Sequence, residues 1–236
     1  MSEDSIPHRK VLYGRRHGRP LRRHRQEVMD TLLPRMKLVA PEKGARLDTA
    51  SLFAEPKRDL WFEVGFGGGE HLAWQAARNP EIGFIGCEPF VNGVSSLLKH
   101  VEEGGQNNIR VVPDDARPIL DALPDASVGR AFVLFPDPWP KLRHAFRRFI
   151  GPDNLPRLSR VLKDGAELRI ASDDPKLQRW MLEHMLRHPD FEWLARTAQD
   201  WRVRPEDWPQ TRYEKKALEA GRSPVFMRFI RKIRET

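Results

Sequence analysis

From Leu60 onward, short apolar runs alternate with helical stretches, and this alternation limits the fold more than any other feature of the chain. LWFEVG (60–65) reads as a buried strand entering a glycine-rich turn, and His71 to Arg78 as a helix stopped by Asn79-Pro80. IGFIGCE (82–88) is a second strand, and Val91 to Glu103 a second helix ended by Gly104-Gly105. IRVVP (109–113) is a third strand, followed by a short helix near 116–122, and RAFVLFP (130–136) is a fourth. A helix near 152–163 ends at Lys163-Asp164-Gly165, AELRIAS (166–172) is the fifth strand, and Pro175 to Arg187 a further helix. FEWLAR (191–196) and PVFMRFI (224–230) read as two last strands with no long helix between them, which predicts an antiparallel pair at one edge. Repeated β–α units predict an α/β fold. The expected form is a Rossmann-like, doubly wound, seven-stranded sheet, mostly parallel with an antiparallel edge strand, with helices on both faces.

Ahead of the sheet, residues 1 to 20 lack a hydrophobic period and read as a flexible basic arm, leaving 21–236 as a single domain. Val28, Leu32, Leu33 and Met36 have helical spacing over 21 to about 38, which Pro34 bends or ends. The stretch from Pro41 to Asp59 is a loop. Charge enters here: Lys and Arg number 41 against 33 acids, a net charge of +8, which favours an anionic partner. Arg9, Lys10, Arg15, Arg16, Arg19, Arg22, Arg23 and Arg25 follow one another without an acid between them. Lys141, Arg143, Arg147 and Arg148 form a second cluster, and Arg228, Arg231, Lys232 and Arg234 a third. Arginine dominates all three, and its planar fork suits phosphate. The arm lacks the apolar face of a membrane-surface helix, so its expected use is to grip RNA phosphates and order on binding.

The single Cys87 excludes an intramolecular disulfide framework and a Cys-rich zinc site, in keeping with a cytoplasmic protein. No apolar run approaches the length of a membrane span, and the first residues form no hydrophobic leader. His184 and His188 are four apart on an expected helix, but with no third ligand nearby they read as a solvated face; no metal is expected.

In a doubly wound sheet, ligands bind beyond the carboxyl ends of the strands, and the notable motifs fall there. In Glu63-Val64-Gly65-Phe66-Gly67-Gly68-Gly69, glycines at 65, 67 and 69 permit a tight turn and close approach of backbone to ligand. Glu88 ends the second strand, where an acid can accept from both ribose hydroxyls. Asp115 follows the third strand, where a carboxylate can accept from an adenine amino group. A glycine turn by itself also serves as a plain strand-to-helix connection; three such features in order, each after its own strand, point to a nucleoside cofactor. Glycine spacing separates two candidates. A dinucleotide fold wants G-x-G-x-x-G, but the third position after Gly67 is Glu70, an acid that repels a pyrophosphate. S-adenosylmethionine carries an ammonium, beside which an acid such as Glu63 is welcome.

After the fourth strand comes Phe135-Pro136-Asp137-Pro138-Trp139-Pro140-Lys141. Two prolines stiffen the loop around Asp137, Trp139 offers a face for stacking a base, and Lys141 can hold a phosphate or a base carbonyl. A packing role for the Pro-Trp-Pro segment is the rival reading.

FEVGFGGG, GCEP, FPDPWPK, IASDD and TRYE, in this order, resemble the bacterial tRNA (guanine-N7)-methyltransferase family, from Tyr13-Gly14-Arg15-Arg16 to the last strand. FPDPW followed by Lys and an Arg-rich stretch is the specific part. The resemblance implies methyl transfer from S-adenosylmethionine to N7 of the variable-loop guanosine at tRNA position 46, with tRNA as partner in a monomer or homodimer. It implies that Glu63, Glu88, Asp115 and Asp137 meet the cofactor and that Asp137 is also catalytic. Lys141, Asp173, Thr211, Arg212, Tyr213 and Glu214 match positions associated with substrate. Arg143 to Arg148, with Arg147, match the RNA-contacting stretch. The chain departs from the family's common pattern at Glu70-His71, at Pro140 before the lysine, and in RHAFRR, where Asn and Lys are commoner. One other class stays open, an RNA-binding module on an inactive methyltransferase fold; a methylase of an exocyclic amine of DNA or of a protein glutamine ranks low. The latter's loop wants Pro then an aromatic residue, where this chain has Trp139-Pro140.

Overall fold

The computed structural model describes residues 13–235. The sheet has seven strands: β1 (Asp59–Val64), β2 (Ile82–Cys87), β3 (Ile109–Val112), β4 (Val128–Leu134), β5 (Leu162–Ser172), β6 (Phe191–Trp193) and β7 (Val225–Arg231). Its order is β3-β2-β1-β4-β5-β7-β6. The chain winds outward from β1 to β3, then returns to β1's other side with β4, so the switch point lies between β1 and β4. β1 to β5 are mutually parallel. β7 pairs antiparallel with both β5 and β6. The expected antiparallel pair therefore lies at one edge, but the reversed strand is β7, inserted one place in, and not the outermost β6.

Alternation along the strands sorts the core into two layers. Phe62, Ile85, Ala131, Val133, Leu168 and Ile170 face one side, packing beneath α4 (Arg117–Ala122), α5 (Leu155–Val161) and α6 (Pro175–Arg187). Trp61, Phe84, Phe132 and Phe226 face the other, with α2 (Glu70–Arg78), α3 (Val91–Gly104) and α1 (Arg23–Met36), which lies on α3. Glu63, two residues after Trp61, shares that second side, so its carboxylate lies beneath α2.

Three expectations on boundaries change. The helix near 152–163 stops at Val161, and β5 already starts at Leu162, which pairs with Val128; the turn at Gly165 (φ +76°) then shifts the register. α1 runs two residues past Pro34, so the proline falls in its last turn and the helix ends soon after it. Two short helices, α7 (Gln199–Arg202) and α8 (Arg212–Glu219), lie in a stretch that has no clear period. The expected arm at 1–20 lies partly outside the described residues. From residue 13 it runs along the carboxyl ends of the strands: Arg16 O accepts from Val91 N at 2.9 Å, and Asn92 bonds to Gly18 and Arg19. Among the described residues no helix is long and apolar enough to cross a membrane.

Candidate active site

A cavity of about 360 Å³ opens at the carboxyl ends of β1 to β4, lined among others by Gly67, Glu88, Asp115, Asp137, Trp139 and Tyr213. The turn after β1 forms its floor. Gly65, Gly67 and Gly69 all have left-handed φ, of +67°, +58° and +79°. At Gly67 the glycine is required twice over, since a Cβ would also sit 2.7 Å from the Tyr213 ring. Glu88 ties the turn down: one carboxylate oxygen accepts from Gly67 N at 2.8 Å and the other from Phe90 N at 2.9 Å. Burial pushes its pKa up, against the pull of those two N–H groups, and the nearby carboxylates of Asp137 and Glu63 push the same way as burial. Asp115 is fixed at both oxygens by Arg117, through its N–H at 3.0 Å and its guanidinium at 2.8 Å. Each carboxylate keeps acceptor capacity for a ligand.

Asp137 differs. It has no hydrogen-bond partner among the described residues, and partial burial alone raises its pKa, while the residue as a whole stays exposed to solvent. The loop that carries it is strained. Phe135 and Trp139 hold φ of +50° and +43°, a region that bulky side chains rarely enter, at a cost of about 1–3 kcal/mol each. Arg148 closes the loop, donating to Pro138 O at 3.0 Å and Trp139 O at 3.1 Å while stacking on Trp180. Arg147 lies over the rings of Tyr13, Trp139 and Phe146 at 4.5, 4.8 and 5.5 Å, at the cavity rim. Lys141 and Arg143 are exposed beyond it.

The remaining expected residues divide. Glu63 is buried and lies behind the main cavity, its carboxylate 2.7 Å from His71 Nδ1. Tyr213 alone of Thr211 to Glu214 lines the main cavity. Thr211 caps α8, accepting from Glu214 N at 3.2 Å. Glu214 is buried against Arg204 at 3.0 Å. Arg212 lies across the turn, bonded to Glu70 and to Ser96, so close that a Cβ on Gly68 would meet its guanidinium at 1.7 Å. Glu70, read from the sequence as a repulsive acid, is thus neutralised. Asp173 pairs with Arg222 at 2.6 Å. Of the three basic clusters, the last is largely consumed inside the fold: Arg228 pairs with Glu167, Arg231 with Asp190 and Asp164, and Arg234 with Asp164. The sequence reading missed His71, Gly93, Phe146 and the Arg16–Asp114 pair at 2.7 Å on the cavity rim. Of these, His71 left a trace in the sequence only as part of Glu70-His71, where the chain departs from the family's common pattern. Among the described residues no three His, Cys, Asp or Glu gather as for a metal.

Residues 57–227 match a family model described as "Putative methyltransferase". The tRNA (guanine-N(7)-)-methyltransferase of Rhodospirillum rubrum is 53% identical over 94% of this chain and 88% of its own length. That of Brucella anthropi is 44% identical over 98% of this chain and 100% of its own length. An rRNA methylase from Streptococcus thermophilus superposes with a TM-score of 0.52 at 11% identity, over 74% of this chain and 87% of the other, a likeness of fold. With identity this high over nearly the whole chain, on the same class of sheet and with the motifs gathered at its switch point, this chain belongs to the tRNA (guanine-N(7)-)-methyltransferase family.

Proposed function

We propose that this protein transfers a methyl group from S-adenosylmethionine to N7 of a guanosine in tRNA. The observation that carries this is the convergence of Glu88, Asp115 and Asp137, from the ends of three successive strands, on one cavity beside a strained aromatic loop. About 360 Å³ suits a nucleoside-sized ligand, and the spare acceptors of Glu88 and Asp115 suit its hydroxyls and amino group. When bound, the cofactor supplies a methyl group already activated on a sulfonium. Glu88 would hold the ribose, Asp115 the adenine, and Glu63 the ammonium.

Guanine N7 bears a lone pair and no proton, so no general base is needed, and the residues act by positioning. Asp137, with no other hydrogen bond among the described residues, accepts from N–H groups of the guanine and offsets the positive charge that develops on the ring. Lys141 donates to O6 or to the adjacent phosphate. Arg143 and Arg147 meet the RNA backbone, and Trp139 and Phe146 offer faces to unpaired bases. The variable-loop guanosine is the target that family membership suggests.

The test is methyl transfer to unmodified tRNA, with the modified base mapped. The expected product is 7-methylguanosine. Asp137→Ala is expected to lower kcat by about 100-fold while S-adenosylhomocysteine affinity falls by less than about threefold. Equal losses in both would remove the separate role of Asp137. RNA binding without any binding of S-adenosylmethionine would leave an inactive methyltransferase fold as the reading.

A further inference from the structure

We propose that His71 is a positioning residue that fixes the Glu63 carboxylate for the amino-acid end of the cofactor; this rests on the reading above that Glu63 meets the ammonium. Both residues are almost wholly buried, at 2% and 3% exposure. Their approach follows from the fold. Glu63 is on the α2 side of β1, and the glycine turn returns the chain so that the first turn of α2 lies over it.

Contacts on the far side of the ring decide which nitrogen carries the hydrogen. Gln75 donates from Nε2 to Asp207 O at 2.8 Å, while Asn79 Nδ2 approaches its Oε1 at 3.4 Å. These two contacts orient the amide with its NH2 toward His71. The second amide hydrogen then faces His71 Nε2 at 3.3 Å, so Nε2 accepts. Nδ1 is left to donate to Glu63 Oε2 at 2.7 Å, a charge-assisted bond. The ring is held edge-on by Phe132 at 4.7 Å, the β4 residue in register with Glu63. The imidazole cannot turn without losing three contacts, so the carboxylate is held in one orientation.

That carboxylate lies next to the cofactor cavity. Glu63, His71 and Thr211 line a second cavity of about 10 Å³, and it shares Gly65, Phe135 and Tyr213 with the main one. His71 therefore acts on the ligand through Glu63, as a metal site's outer partners act through its ligands.

The experiment compares two ligands on the full-length protein by calorimetry: S-adenosylhomocysteine, and 5′-methylthioadenosine, which lacks the amino-acid end. His71→Leu is expected to weaken S-adenosylhomocysteine about tenfold and to leave methylthioadenosine within about twofold. KM for S-adenosylmethionine should rise while kcat on tRNA stays within about threefold. His71→Asn, which keeps an N–H near the Nδ1 position, should recover most of the loss. Equal weakening of both ligands would overturn the proposal, because a role in the scaffold alone predicts it. If His71→Leu does not fold, His71→Gln against His71→Asn gives the same decision, since Gln withdraws the Nδ1 donor. Glu63→Gln separates the two levels. If Glu63→Gln leaves S-adenosylhomocysteine unaffected, the reading of Glu63 fails; if it weakens binding and His71→Leu does not, only the role of His71 fails.

Discussion

Gly93 sits in the first turn of α3, where alanine ordinarily stabilises a helix by about 1 kcal/mol. Here a Cβ would lie 2.3 Å from Gly67 O and 3.1 Å from the Glu88 side chain. The helix must stand off, and Glu88 and the glycine turn must move with it. Gly93→Ala is therefore expected to weaken S-adenosylhomocysteine about tenfold, read by calorimetry, with a thermal midpoint that falls and does not rise. Such packing leaves no trace at the residue itself. A glycine in a helical run reads as a weak point in propensity, and only its neighbour across the fold gives it a reason.

At the scale of one element, the segment from Asp137 to Arg148 joins two kinds of arginine that look alike in sequence. Arg148 is buried and holds the carbonyls of Pro138 and Trp139; Arg143 is exposed. Their variants should behave differently. Arg143→Ala is expected to weaken tRNA binding evenly and to reduce the slope of log K against log salt by about 1. Arg148→Ala releases the carbonyls of Pro138 and the strained Trp139, and with them the loop, so kcat should fall about tenfold or more with the salt slope unchanged. Filter binding over a salt series, with single-turnover rates, separates the two. A salt slope that changed equally in both variants would place Arg148 on the RNA after all.

The whole molecule carries a charge network that ties β4, β5 and β7 to the loop before α8. Arg169, at 1% exposure, is bonded to Asp207 at 3.0 and 2.7 Å and paired with Glu167 at 3.0 Å, with Arg130 at 3.3 Å from Glu167 and Arg228 beside it. Burial pushes the carboxyls of Glu167 and Asp207 up, but the guanidinium groups outweigh it and both pKa values are lowered. Their contribution to stability is present above the ordinary carboxylate pKa of about 4 and is lost as pH falls through the lowered values. Glu88, which faces the cofactor cavity, is shifted the other way, mainly by burial, so it takes up a proton at higher pH. On acidification, cofactor binding should therefore fail before the fold does. Asp207→Asn should lower stability at neutral pH, by no more than about 1 kcal/mol because solvent screens its half-exposed carboxylate, and move acid unfolding to higher pH. Circular dichroism and S-adenosylhomocysteine titration over the same pH series check both; unfolding and loss of binding at one pH would contradict this ordering.

The sequence by itself determined the alternation of strands and helices, the glycine turn, and the order of acids after successive strands. These are local properties: side-chain period, backbone freedom and the residue that ends a strand are all read within a few positions. It also carried the stiffness of the Asp137 loop, because proline acts on its own backbone. Only the tertiary structure decided which charges are free. Arg228, Arg231 and Arg234 look like an RNA-binding cluster until β7 is inserted beside β5 and brings them to Glu167, Asp164 and Asp190. Arg212 and Glu214 look like ligands until α8 lays one across Gly68 and turns the other onto Arg204. His71 meets Glu63 because strand and helix share a face. The physical reason is the same in each case: an ion pair or a buried hydrogen bond depends on distance in space, and sequence spacing encodes that only within a single element.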